Sequence, residues 1–203
     1  MINLGTKPSK GKMIYHLTEL TNLEGIFECN GLYPRNLLIK NNISFMDVAD
    51  QEIIQFRKEN SINDYVPFHF YVKNPFDGSV LKENPNMSFA IISMLRTRAR
   101  EMEFNILPQH PKHMSNLQIY DYDIGIEMID WDVMDDFENR DYRDREIKNI
   151  CMAECIYNGI INLDDIQAIY VKNTNDENHV LKLKKTYNIT SKFFINVNPK
   201  FFI

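Results

Sequence analysis

The chain has 203 residues, of which 44% are apolar, 12% aromatic and 25% charged, with a formal net charge of −5. That length suits one globular domain with a sizeable core, and no run approaches the ~18 consecutive apolar residues a membrane helix needs. Residues 1–12 carry lysines but no apolar segment of a secretory signal, and the cysteines Cys29, Cys151 and Cys155 form neither a disulfide framework nor a zinc module, so a cytoplasmic protein is expected.

After a flexible tail over residues 1–12, Met13 to Thr18 is short, apolar and aromatic and reads as a buried strand. Thr21 is an N-cap for a helix through about Cys29, with Leu23, Ile26 and Phe27 on one face and Gly31 as its stop. Asp47 is the candidate cap of a second helix carrying Val48, Ile53, Ile54 and Phe56 up to Arg57. Tyr65 to Tyr71 is strand-like around Pro67, and Asn74 to Gly78 reads as a turn. Ser88 to Met94 is a further strand, followed by a short basic helix with Arg96, Arg98 and Arg100, and then a strand at Phe104 to Leu107.

Residues 108–130 read as irregular, Trp131 to Phe137 as a short helix and Glu138 to Lys148 as a charged loop. Met152 to Tyr157 and Ile166 to Val171 are late strands, with a helix between Asp176 and Tyr187 and an aromatic C-terminal strand ending at Phe201 and Phe202. Strands mix with short helices without a βαβ rhythm or a linker, which predicts a single α+β domain with a mixed or antiparallel β core and short flanking helices. Residues 121–146 hold 11 acids against three arginines, so the rest of the chain is net positive and a local cationic groove is permitted despite the overall sign.

The seven glycines form neither a Walker loop nor GxGxxG, which excludes the commonest nucleotide folds. His110-Pro-Lys-His113 has no carboxylate at ligand spacing, and Cys151 and Cys155 read as packed thiols, so no metal is expected. Three features are sharper: His16 within Tyr15-His16-Leu17-Thr18, Arg57 ending an apolar-patterned stretch, and Glu154 between Ala153 and Cys155-Ile-Tyr. Each has a plainer alternative: a half-buried hydrogen bonder for His16, an exposed helix end for Arg57, the solvent face of a strand for Glu154. A lone carboxylate among apolar residues is nonetheless expensive to bury without a partner or a task.

Tyr15-His-Leu-Thr18 with Asn22-Leu23 and Gly31-Leu32, then Asn63-Asp-Tyr-Val-Pro-Phe68 with Phe70, then Met152-Ala-Glu154, is an ordered set that resembles the DarT family over nearly the whole chain. DarT proteins are bacterial toxins that ADP-ribosylate a base in single-stranded DNA using NAD. The resemblance implies an ADP-ribosyltransferase-like fold, NAD as co-substrate without a metal, single-stranded DNA as substrate and a macrodomain-type antitoxin as partner, with no membrane.

It also implies catalytic roles for Glu154 and for Arg57, with Lys58 the neighbouring alternative, and an NAD site of His16, Leu17, Thr18, Asn22, Leu32 and Arg57. Residues 36–58 resemble the NAD-binding element, and Arg57 is the guanidinium suited to a pyrophosphate. Tyr15, Tyr33 and Phe68 are candidate nicotinamide neighbours or core. His110 is implied on the substrate side, with Arg140, Arg143, Arg145 and Lys148 as candidate DNA contacts from the loop before Glu154, or else as a solvated charged loop. The chain departs from the family at Pro67-Phe-His-Phe70, Lys73-Asn-Pro-Phe76 and Gln109-His110, which leaves RNA or protein as alternative acceptors and a catalytically inactive binding module as a rival.

Overall fold

The computed structural model describes residues 6–114 and 116–202. Its strands are β1 (Met13–Glu19), β2 (Gly31–Leu32), β3 (Tyr65–His69), β4 (Phe89–Leu95), β5 (Asn105–Leu107), β6 (Tyr120–Asp121), β7 (Glu154–Asn158), β8 (Ile161–Asn162), β9 (Ala168–Val171) and β10 (Phe194–Val197). Eight of them form one mixed sheet in the order β10-β9-β4-β1-β3-β7-β5-β6, while β2 and β8 make a separate antiparallel pair. The β4 run Phe-Ala-Ile-Ile-Ser-Met-Leu is apolar without alternation because both of its faces are covered. Ile92 belongs to the larger core cluster with Phe68 and Phe104, whereas Ile91 packs with Leu17, Val80 and Phe202.

The helices are α1 (Asn22–Glu28), α2 (Arg35–Lys40), α3 (Gln51–Glu59), α4 (Pro75–Glu83), α5 (Arg96–Glu101), α6 (Tyr122–Met128), α7 (Trp131–Asp135), α8 (Arg145–Ile150) and α9 (Thr174–Thr186). Most are shorter than the ~12–15 residues at which an isolated helix becomes even marginal, so caps and packing hold them.

Those caps account for several departures from the sequence reading. Asp50, not Asp47, caps α3 by accepting from the Ile53 amide at 2.8 Å, and Asp47 pairs with Arg35 instead. Asn74 to Gly78 opens α4 rather than turning: Asn74 Oδ1 accepts from the amides of Phe76 and Asp77, and Pro75 fills the first helical position, where a missing N–H costs nothing. Asp144 starts α8 inside the expected charged loop, and β6 and α6 lie inside the stretch read as irregular. At Gly125 of α6 a Cβ would overlap the Ile106 side chain, so the missing side chain lets the helix close onto β5. One βαβ unit is present, because β9 and β10 are parallel and α9 connects them. The expected tail does not hold for residues 6–12, where Pro8 is buried and the Ser9 amide donates to Asp135 at 3.0 Å; residues 1–5 lie outside the described residues. Among the described residues no helix is long and apolar enough to cross a membrane.

β1 is paired with β4 along its whole length but meets β3 only at Tyr15↔His69. Pro67 has no N–H to donate to a ladder there. The His16 ring spans the split instead, its Nδ1 donating to the Pro67 carbonyl at 2.8 Å. The sheet is therefore open between β1 and β3, and this opening forms one wall of the site.

Candidate active site

Glu154 begins β7 directly opposite His69 of β3 and Leu107 of β5, so three strands fix its position. It is 5% exposed and faces Arg57, which is 9% exposed and the buried residue of α3. Arg57 Nη1 donates to both Glu154 oxygens, at 3.1 and 2.8 Å, while Nη2 turns towards the Ile62 carbonyl at 3.4 Å. Burial pushes the Glu154 carboxyl up, but Arg57 first and then His69 and His110 outweigh it and hold the group below its ordinary value. Well-packed apolar residues stabilise a core as well as a buried ion pair does, so a pair kept at the base of a cleft points to a task.

The cleft above this pair is lined by His16, Leu17, Thr18, Asn22, Leu32 and Arg57, every residue of the expected NAD site, with Glu154 at its floor. Burial drives the His16 imidazole down to about 4 against its bond to Pro67, with His69 and Arg57 adding to the fall. Thr18 Oγ1 accepts from Asn22 Nδ2 at 3.0 Å. Asn22 also holds the 41–50 segment against the cleft, donating to the Met46 carbonyl at 2.9 Å and accepting from its amide at 2.7 Å. Lys58, the alternative cation, is exposed and does not line the cleft. Of the three aromatics, Tyr33 lines the cleft. Phe68 is fully buried in the core against Phe104, and Tyr15 packs edge-on to Phe201 with ring centroids 6.2 Å apart.

A second cleft meets the first at Ile53, His110 and Met152 and is lined by Lys112, His113, Arg143, Arg145 and Lys148. His110 is 5% exposed with its Nδ1 buried and unpaired among the described residues, and burial lowers its imidazole to about 4 despite the pull of Glu154. Arg145 contacts His113 Nδ1 at 2.8 Å, and Arg143 is held by Asp141 at 2.7 Å. Arg140 does not belong to this surface. Its guanidinium lies over Phe137, Tyr71 and Tyr142, at 4.5, 5.0 and 5.8 Å from the ring centroids, and Nη1 donates to the Met134 carbonyl at 3.0 Å. Three aromatics and a carbonyl make it a clamp on the loop before Glu154, which corrects its expected DNA contact.

Sequence reasoning missed Arg35, Asn63 and His69 in the first cleft and Lys112 and His113 in the second. The departure Pro67-Phe-His-Phe70 was the available signal for His69. No such signal existed for Arg35, which reaches the cleft through a helix that the sequence did not announce.

Residues 15–203 match the family described as ssDNA thymidine ADP-ribosyltransferase, DarT. The chain belongs to the DarT family. A DNA ADP-ribosyl transferase of Thermus aquaticus is 31% identical over 68 residues, an alignment that spans 31% of this chain and 31% of that protein. The DarT of Thermus sp. 2.9 in complex with ADP-ribosylated ssDNA has the same fold, with a TM-score of 0.79 at 17% identity over 96% of this chain and 97% of that one. Its complex with NAD+ gives 0.74 at 15% identity, over 96% and 98% of the two chains. The DarTG of Thermosipho africanus in complex with ADP-ribose gives 0.74 at 23% identity; the match covers 94% of this chain and 51% of that one, so this chain spans about half of it.

Proposed function

We propose that this chain transfers the ADP-ribose unit of NAD+ to a base nitrogen of single-stranded DNA, with thymidine, the base named for the family, as the acceptor. The buried Arg57–Glu154 pair at the base of a cleft bordered by His16 carries the reading. NAD+ supplies the electrophile: the bond from nicotinamide to the ribose C1′ breaks, nicotinamide leaves with the electron pair, and positive charge builds on the ribose. Glu154, kept ionised by Arg57, stabilises that charge as it develops, from a carboxylate already in position. A bond then forms from the base nitrogen to C1′, and the proton the nitrogen carried passes to Glu154, a transfer that typically contributes ~10²–10⁴-fold.

His16 Nδ1 is engaged by Pro67, so its Nε2 is the lone pair available to a ribose hydroxyl. Leu17 and Leu32 supply apolar walls, and Thr18 and Asn22 set the polar edge and hold the covering segment. His110 stands where the two clefts meet, with an uncharged ring and a nitrogen that has no partner among the described residues, suited to the edge of the acceptor base. Arg145 and Lys148, with Lys112 beside them, track the phosphates of a strand whose target base enters the first cleft. Arg143 extends that surface while paired to Asp141. A toxin role with a macrodomain-type antitoxin, and a cytoplasmic site of action, complete the proposal.

The test is to incubate the purified protein with NAD+ and mixed-sequence single-stranded DNA and to weigh the oligonucleotide, with Glu154→Ala as control. A gain of one ADP-ribose unit that the control lacks is expected. Modification of RNA or protein in place of DNA would overturn the acceptor, and a folded, active Glu154→Ala protein would sink the mechanism.

A further inference from the structure

The cleft holding Arg57 and Glu154 has, among the described residues, one other arginine or lysine in its lining: Arg35. Arg57 is committed inward, with Nη1 on both oxygens of Glu154 and Nη2 towards Ile62. A diphosphate drawing on Arg57 would strip Glu154 of its partner and leave a carboxylate uncompensated in a buried place, which is costly. Arg35 carries no such commitment. It opens α2, its guanidinium lies over the Phe45 ring at 5.3 Å, and it is ion-paired with Asp47. Phe45 and Asp47 both belong to the 41–50 segment that lines the cleft and that Asn22 pins at Met46.

An arginine grips carboxylate and phosphate oxygens by the same charge-assisted N–H···O bonds. A phosphate can therefore replace Asp47 on Arg35 without moving Arg57 from Glu154. We propose that Arg35 is the anchor for the diphosphate of NAD+, and that Asp47 holds its guanidinium in place until a phosphate takes over. The inference rests on the NAD+ reading and moves to Arg35 the pyrophosphate contact that the sequence suggested for Arg57.

A rival account makes Arg35–Asp47 a plain latch between α2 and the covering segment. The two accounts differ in sign. For a latch, removing either partner loosens the segment and weakens binding. For an anchor with a competing carboxylate, removing Arg35 weakens binding and neutralising Asp47 strengthens it.

The experiment is calorimetric titration of NAD+, and of ADP as a diphosphate without nicotinamide, into the full chain and its Arg35→Ala, Arg35→Lys and Asp47→Asn variants, each first shown to melt like the parent. Arg35→Ala is expected to weaken both ligands about tenfold to a hundredfold, the range of one or two charge-assisted hydrogen bonds. Arg35→Lys should recover part of that loss, and Asp47→Asn should tighten both ligands. Wild-type affinity in a folded Arg35→Ala protein, or weakening by Asp47→Asn, would overturn the proposal while leaving the NAD+ reading in place. Failure of the parent chain to bind NAD+ at all would overturn that reading, and the anchor with it.

Discussion

His69 and Glu154 lie directly opposite one another where β3 meets β7, and the His69 Nδ1 donates to the carbonyl of Ala153, one residue before Glu154, at 3.2 Å. Opposed residues of an antiparallel pair have their Cβ atoms about 4.5–5.5 Å apart on one face. One side chain thus both fixes the backbone that delivers Glu154 and adds to the field that keeps it ionised. Burial pushes that carboxyl up, Arg57 does most to pull it down, and His69 comes next. Activity needs the ionised form, so it is present above the carboxyl's pKa and lost as pH falls through it. His69→Phe removes one of the downward pulls, so the acid limb of kcat against pH is expected to move to higher pH, with kcat falling about tenfold, on the scale of one hydrogen bond to a backbone carbonyl. His69→Asn, which restores a side-chain N–H, should recover part of kcat. An unmoved acid limb in His69→Phe would refute the electrostatic part of this account.

The Arg57–Glu154 pair predicts a pattern in stability as well as in rate. Breaking a buried pair from one side costs about 3–5 kcal/mol, because the remaining charge is stranded, whereas exchanging both partners for apolar residues of similar volume is often neutral. Arg57→Met and Glu154→Met should each unfold at clearly lower urea concentration than the parent. The double variant should return close to the parent midpoint while catalysing nothing. Destabilisations that simply add in the double variant would show that the pair is not energetically coupled.

The elements with strong local patterning were legible from the sequence: β1 and β4 through their apolar runs, α1 and α9 through their apolar spacing. Glu154 and His16 were legible because each placed a polar group where a strand had no cheap use for one. Arg35 was not, since α2 has no side-chain cap and none of its residues is fully buried, so neither signal marks it. Asn74-Pro-Phe-Asp-Gly78 misled because the same residue types that terminate a turn also start a helix. The choice was made by Asn74, fully buried with its Oδ1 on two amides, a fact of packing that no local pattern carries. Arg140 misled in a related way. A charged, polar stretch conceals that Tyr71, remote in sequence, returns to stack on one of its arginines.

Asp77 is 2% exposed, and burial raises its carboxyl to about 6 although His69, Asn74 and the Lys73 amide all favour the charged form. The sign follows directly. A folded pKa above the unfolded value means that this group's contribution is most favourable below the unfolded value and is lost as pH rises through about 6. Asp77→Asn keeps an oxygen to accept from Lys73 and removes the charge. It should stabilise the protein by about 1–3 kcal/mol at pH 8, a range set by a shift of roughly two units, and by little at pH 4. Urea midpoints at the two pH values check this. A gain of equal size at both would show that titration of Asp77 is not its source.

Arg140 and the pair Arg145 and Lys148 lie within nine residues of one another, yet their replacements should fail differently. Arg140 sits over three rings and on the Met134 carbonyl, so Arg140→Ala should cost about 2–3 kcal/mol of stability. Its remaining folded fraction should bind DNA with an unchanged salt dependence. Arg145 and Lys148 line the second cleft, where Arg145 contacts His113, so the Arg145→Ala/Lys148→Ala variant should melt like the parent. Each phosphate of a single strand that the protein ceases to neutralise lowers the slope of log K against log salt by about 0.7, so the double variant should show a slope shallower by about 1.4. A double variant with the parent slope would remove the second cleft from the path of the strand, and the DNA would have to reach Glu154 from another side.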